Sequence, residues 1–413
     1  MTYPSARLAL PLLLVVEFLA CGTSVPAPTF TPWRCVKNMD AGRFFHTATT
    51  LTDGRVLVTG GIVGLPSSET PLLEAMPSAE IYDPAMNTWR VVAEMTTPRN
   101  LHQALLLGDG RVFVGGGCRG LQYVETHGVW IICVPERTAE IYDPSMNSWA
   151  PTAFSHPPGA IILLPDGRVL AAGTADQAMG PFGPESELLD PATGRTEPTG
   201  SMGSGVWLEA LVPLPSGEVL SVGGYRAVGS GSDINLVTEI YRPSSGEWRQ
   251  AGPFPVPRVW TAVAALPDGD VLRAGGCVNQ VPTCLVEPVP LAWRYHHEEE
   301  IWKPTAPMLH PRLAASPVAI GGKLMLAAGN DVWRPPGTNV VDYYRAPEAE
   351  IFDPEHESWT SAGLMPHYVL GGGAAVALLS GDVLFTGGFI EYPPGVFRAI
   401  DAVQRWTPVP SQP

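Results

Sequence analysis

The chain is short of charge: Asp, Glu, Lys and Arg supply only 16% of its 413 residues, while Gly and Pro supply 44 each. Runs long enough for capped helices with a 3.6-residue period are missing, so a helical architecture is excluded and an all-β fold of short strands and many turns is expected. Basic residues are the scarcer sign, 25 against 40 acidic, and they form no cluster. At a formal net charge of −15 the surface repels phosphate backbones, which removes nucleic acid from the expected partners. The charge itself reads as a solubility device. Long apolar runs are also lacking, the one candidate being residues 8–20, which Pro11 and Glu17 interrupt and which is too short to span a bilayer. No G-x-S-x-G elbow, H-E-x-x-H or phosphate loop occurs. Disorder is excluded in turn, because 45% hydrophobic content with 12 Trp can bury a core.

The apolar stretch follows Arg7 and reads as the h-region of an export signal over residues 1–20. It ends Phe18-Leu19-Ala20-Cys21-Gly22, which resembles the bacterial lipobox, with Phe18 where Leu is usual and Glu17 a charge inside the run. The resemblance implies lipidation at Cys21; ordinary signal-peptidase cleavage nearby is the other reading. Either way the protein is expected to be exported, secreted or lipid-anchored at the cell envelope, and such an anchor would be its contact with a membrane. Residues 21–32 read as a tether, residues 33–406 as the folded body and 407–413 as a tail.

Six cysteines in an exported chain point to disulfides. Cys118 and Cys133 share one segment, and Cys277 and Cys284 another, so two local bridges are expected. Zinc is served less well, since neither pair has CxxC spacing and no histidines cluster beside them. Cys35 is left over and is expected to be buried in a strand. No metal and no cofactor is expected.

Self-similarity dominates the rest. Asp53-Gly-Arg-Val-Leu-Val-Thr-Gly60-Gly61 returns as Asp109-Gly-Arg-Val-Phe-Val-Gly-Gly116-Gly117, and related segments end near 173, 223, 275, 328 and 387. Thr174 replaces the second Gly of one copy and Ala328 the first of another. A second module, Ala79-Glu-Ile-Tyr-Asp-Pro-Ala-Met-Asn-Thr-Trp89, recurs as Ala139-Glu-Ile-Tyr-Asp-Pro-Ser-Met-Asn-Ser-Trp149, with weaker copies ending at Trp248, Trp302 and Trp359. A Gly-Gly pair closing an apolar strand, then Tyr and Trp at fixed offsets, resembles the Kelch repeat, whose period is about 50. The resemblance covers residues 33–406 and implies a seven-bladed β-propeller of four-stranded antiparallel blades.

The residues agree with it. In the first repeat, strands are expected over 46–51, 55–59, 79–82 and 88–93. Asp-Gly joins the first two as a hairpin, and Asp-Pro-x-x-Asn joins the last two. The Gly pair is expected to let neighbouring backbones approach, and Tyr and Trp to fill the wedge between blades. Residues 31–39 parallel residues 87–95 and read as an outer strand completing the last blade, a role for which the segment ending at Trp406 competes.

The Asp-Gly and Asp-Pro turns share one face, and the long connections after each Gly pair emerge on the other, at 62–78, 118–138, 277–291 and 330–348. Binding usually resides on long loops held by a rigid scaffold. Arg43, Arg99 and Arg258 align near the starts of the innermost strands, with Arg312 one residue off. They read either as a ring for an anion or carboxylate, with Trp130 and Trp260 as aromatic support, or as loop caps bonding backbone carbonyls. Among Kelch-like propellers, the copper enzyme galactose oxidase uses Tyr and His ligands. Tyr295-His296-His297 invites comparison, but the repeat alignment places it at a turn on the short-turn face. The expected function is a binding scaffold for a protein or glycan ligand; the alternative is a propeller oxidase, lyase or hydrolase with its site at the channel mouth.

Overall fold

The computed structural model describes residues 32–408 except 66–71, 126–128, 176–181, 204, 208, 229–230, 278–288, 334–341, 346–347, 368 and 392–396. Cys21, Cys284, the leader and most of the tether lie outside the described residues. No helix occurs among those that are described. Instead the described residues form seven four-stranded antiparallel sheets. The first comprises Thr47–Thr50, Val56–Thr59, Ala79–Asp83 and Thr88–Val91, in that order from inside to outside. The first strand of each sheet packs beside the first strand of the next, and Ala374–Ala377 of the seventh returns to Thr47–Thr50 of the first. Second strands such as Val56–Thr59 and Val112–Gly115 are buried throughout. They are sandwiched between sheets, and this is why they read as continuous apolar runs rather than alternating ones.

The turn chemistry works as the sequence indicates. Gly54, Gly110 and their counterparts take positive φ in the Asp-Gly hairpins. Asn87 and Asn147 do the same in the outer turn, where each side-chain oxygen accepts the hydroxyl of Tyr82 or Tyr142 at 2.9 Å. Each Tyr lies against the Trp of its own sheet, as with Tyr82–Trp89 and Tyr142–Trp149 at 5.0 and 4.9 Å. The Trp indole then reaches the preceding sheet: Trp89 donates to Lys37 O and Trp149 to Ala93 O, both at 2.7 Å. The ring system is therefore packing and fastening in one residue.

The Gly pair explains how the sheets approach. A Cβ on Gly60 would sit 2.4 Å from Arg99 O of the next sheet, and one on Gly387 the same distance from Arg43 O. The second glycine donates its N–H to that same carbonyl, Gly61 to Arg99 O and Gly388 to Arg43 O, each at 2.9 Å. Ala328, the replacement for a first Gly, keeps the left-handed conformation at φ 56°. The backbone geometry is conserved there at the expense of local strain.

The seventh sheet uses both competing terminal segments. Val403–Trp406 is its third strand and Trp33–Cys35 its fourth, with Trp33 opposite Trp406. Only Trp33 of that outer strand turns inward. Cys35, expected to be buried, is therefore exposed, and it is disulfide-bonded rather than left over.

Candidate functional site: the face of the long connections

The connections after the Gly pairs are not plain loops. Cys118–Glu125 and Val129–Pro135 form a hairpin, and Leu72–Glu74 from the preceding connection adds to its edge. Phe389–Glu391 pairs with Phe397–Ala399, and Gly64 bridges to Arg398. Beneath them Phe44, Ile62 and Leu121 form a small apolar cluster with Phe45, Leu73 and Phe389 packed on it. The expected Cys118–Cys133 disulfide staples the hairpin, closing 15 residues. Cys277 is buried and disulfide-bonded as well.

Four residues just before the innermost strands share an unusual backbone: Phe45, Leu101, Trp260 and Ala314 all have φ between 49° and 59°. The conformation is stitched from sheet to sheet. Phe45 N–H donates to Gly372 O, Leu101 N–H to Phe45 O, and Ala314 N–H to Trp260 O, at 2.7, 2.9 and 3.0 Å. Bulky residues pay strain in this region unless their surroundings impose it; here the neighbouring sheets impose it. Three of the four are partly buried, whereas Trp260 is 45% exposed.

Trp260 stands over a polar network. Its indole is hydrogen-bonded to Tyr225, whose hydroxyl pKa is pushed up to about 12, first by burial and then by Glu209. Glu209 accepts the N–H of Thr261 at 2.6 Å and pairs with Arg273 at 2.8 Å. The Arg273 guanidinium, 1% exposed, also donates to Arg258 O and Thr261 Oγ1 and lies 4.1 Å from the centre of the Phe254 ring.

The arginines expected to ring the mouth are internal instead. Arg43 and Arg99 are fully buried and Arg258 is 3% exposed. Arg43 donates to Gly60 O, Ser78 O and the Glu80 carboxylate. Arg99 makes the same set with Gly116 O, Thr138 O and Glu140, and Arg312 with Ala328 O, Glu348 O and Glu350. Arg258 bonds Gly275 O alone in that set. This corrects the expectation of open guanidinium forks: the donors are consumed by carbonyls and carboxylates inside the fold. Trp130 lies on the stapled hairpin, opposite Val124.

His46 and His102 join sheets rather than line the channel. His46 Nε2 is 2.8 Å from Thr386 Oγ1, and His102 Nε2 is 3.0 and 3.1 Å from the Thr47 and Thr59 hydroxyls. Burial, then the Arg43 charge, lowers the His46 pKa to about 3. Tyr295 packs on Trp302, and His296 and His297 both point Nδ1 at Asp270, 3.0 and 2.7 Å away, on the short-turn side.

The residues that sequence reasoning missed are the carboxylates two positions before the outer aromatics Tyr82, Tyr142 and Phe352. Glu80 accepts Asp40 N–H and Ala41 N–H, Glu140 accepts Thr96 and Thr97, and Glu350 accepts Leu309 and His310. Each thus caps the connection entering its own sheet and binds the arginine that follows. The recurring Ala-Glu-Ile-Tyr string carried the signal.

Residues 43–96 match the Kelch motif. Over 377 residues, 84% of this chain and 72% of the relative, the chain is 24% identical to "Kelch-like protein terF" of Aspergillus terreus. A solved structure titled "Novel fungal alcohol oxidase with catalytic diversity among the AA5 family, in complex with copper" aligns with TM-score 0.65 at 15% identity, covering 91% of this chain and 76% of that one. The likeness is one of fold. Among the described residues no group of three or more His, Cys, Asp or Glu is arranged to hold a metal ion. Sheet architecture, motif and relatives together support the Kelch-repeat propeller family for this chain.

Proposed function

We propose that the seven sheets are the blades of one closed propeller, and that it serves as an exported or cell-surface binding scaffold, engaging a protein or glycan through the long-connection face. One observation carries the reading: Trp260, an exposed indole fixed in a left-handed conformation by the blade-to-blade hydrogen bonds at the channel mouth. A large rigid aromatic with a polar edge binds at low entropic cost, and a sugar face or a partner's apolar side chain matches it. The leader and the lipobox-like Cys21 support export and anchoring. Glycan arrays and pull-downs from surface extracts with the wild type and Trp260→Ala test the proposal. Loss of capture at unchanged melting temperature supports it; equal capture by the variant overturns the site.

The second reading is a propeller enzyme with its site at the same mouth, favoured by the pair of buried Arg273 with partly buried Glu209 there and by the fold likeness to an alcohol oxidase. A stoichiometric transition metal in the purified protein, with peroxide release from primary alcohols, would favour it.

A further inference from the structure

The Arg–Glu clamp is not repeated uniformly. Arg43, Arg99 and Arg258 each stand seventeen residues before the first glycine of their pair. In the third blade, Pro158–Leu163 to Thr196–Pro198, that position is His156, which precedes Gly173 by the same interval and is exposed. Its carboxylate partner is kept. Glu187 is 8% exposed and, like its counterparts, accepts the entering backbone, Ser155 N–H at 2.9 and 3.1 Å and His156 N–H at 3.4 Å. No cation of the chain pairs with it among the described residues.

A cleft of about 230 Å³ lies there, lined by Gly173, Glu185, Glu187, His156, Thr199 and Ser201 among others. Gly173, Glu185 and Glu187 are the counterparts of Gly60, Ser78 and Glu80, the three groups that hold the Arg43 guanidinium. An apolar cavity of about 150 Å³ admits benzene, so this cleft has room for a guanidinium and part of an alkyl stem. A buried carboxylate without a countercharge is costly, and a planar cation with several donors is the partner that its sister sites select.

We propose that the third blade carries a binding site for an external guanidinium cation, with Glu187 as its anion and the Gly173–Glu185 backbone as its rim. The ligand is an arginine side chain of a partner or a free small guanidine. This site stands apart from Trp260, so Trp260→Ala leaves it intact.

Calorimetry with ethylguanidinium tests it, with propylammonium for comparison. The wild type is expected to bind ethylguanidinium saturably and in preference to propylammonium. Glu187→Gln should weaken that binding at least about ten-fold, since a hydrogen bond to a charged group is lost. The variant should still fold, because Gln404 already caps the seventh blade's entry by accepting His367 N–H at 3.0 Å. His156→Arg should abolish binding while raising the melting temperature, its own guanidinium taking the place. A blocked Gly-Arg-Gly peptide separates the two sources: binding as tight as ethylguanidinium points to a partner's arginine, and exclusion of the peptide to a small free cation. Absence of saturable binding by the wild type, or unaltered binding by folded Glu187→Gln or His156→Arg, overturns the proposal.

Discussion

The second and seventh sheets solve one structural problem in opposite ways. In the second, Arg99 and Glu140 form a buried ion pair at 3.3 Å, both side chains fully enclosed, and the carboxylate caps the entering chain. In the seventh, the corresponding positions are Leu370, itself buried, and Gln404, which caps the entry without charge. The lesson is that the charges behave as a unit: a buried pair can be exchanged for a neutral apolar pair with little loss, whereas half of one is expensive. The fourth and fifth sheets show the halves. Among the described residues Glu239 has no arginine partner, and burial raises its pKa; Arg258 has Trp293 where the carboxylate belongs, and burial followed by the Arg273 charge lowers its pKa.

The largest expected effect breaks the unit. Arg99→Ala should destabilise the protein by about 3–5 kcal/mol in denaturant unfolding, because Glu140 is left buried and unpaired. Installing the seventh blade's solution, Arg99→Leu with Glu140→Gln, should recover most of that loss, and the double-mutant cycle should show strong coupling. If the two losses simply add, the comparison between blades is wrong.

Reduction of Cys118–Cys133 comes next. A bridge closing about 15 residues contributes up to about 3 kcal/mol, so the melting temperature should fall while far-ultraviolet dichroism shows the sheets intact. Collapse of all seven sheets together would mean that the hairpin supports the ring rather than ornaments it.

pH separates the half-sites from the histidines. Folded Glu239 holds its proton more tightly than the unfolded chain does, so its stabilising contribution is present at low pH and lost as pH rises through the elevated folded value. Glu239→Gln should therefore gain stability at neutral pH relative to wild type and lose that advantage in acid. His46 runs the other way. Its folded pKa of about 3 lies below the ordinary value of 6.5, so its contribution is present above 6.5 and is lost progressively as pH falls toward 3. Unfolding free energies of His46→Gln and wild type should converge over that interval.

The smallest effect is at Trp260. Its φ of 59° suits glycine, so Trp260→Gly should shift stability by less than about 1 kcal/mol, the relief of strain offsetting lost packing. A large loss would show the indole to be a structural keystone and would remove the reason for assigning it to a ligand.

Most of the architecture was legible because it rests on backbone requirements that only certain residues meet. Asp-Gly hairpins, Asp-Pro-x-x-Asn turns and the Gly pair identify strand ends directly, and the Tyr and Trp offsets fix the outer hairpin. The arginines were placed at the correct strand starts, yet their role was ambiguous, because a charge in a sequence does not reveal whether it faces water. The partner that decides the matter lies across an insertion of variable length: Arg43 and Glu80 are 37 residues apart, Arg99 and Glu140 41, and Arg312 and Glu350 38. A fixed-offset search misses such a pair. Trp260 was read as lying near an innermost strand start, and it precedes Ala262–Ala265, but its left-handed backbone was invisible, since nothing about tryptophan favours it. Cys35 misled because the outer strand on which it lies leaves all but Trp33 open to solvent.

The pairing of Trp33–Cys35 with Val403–Trp406 has a consequence for biosynthesis. The strand that completes the seventh sheet is made long before its partner. Until the Val403–Trp406 strand has been made, the flank of the first sheet that the seventh will cover has nothing to rest on, and contacts of long sequence separation form late. Closure of the seventh sheet is therefore a late event, and until it happens the nascent chain is an open, sticky arc of sheets.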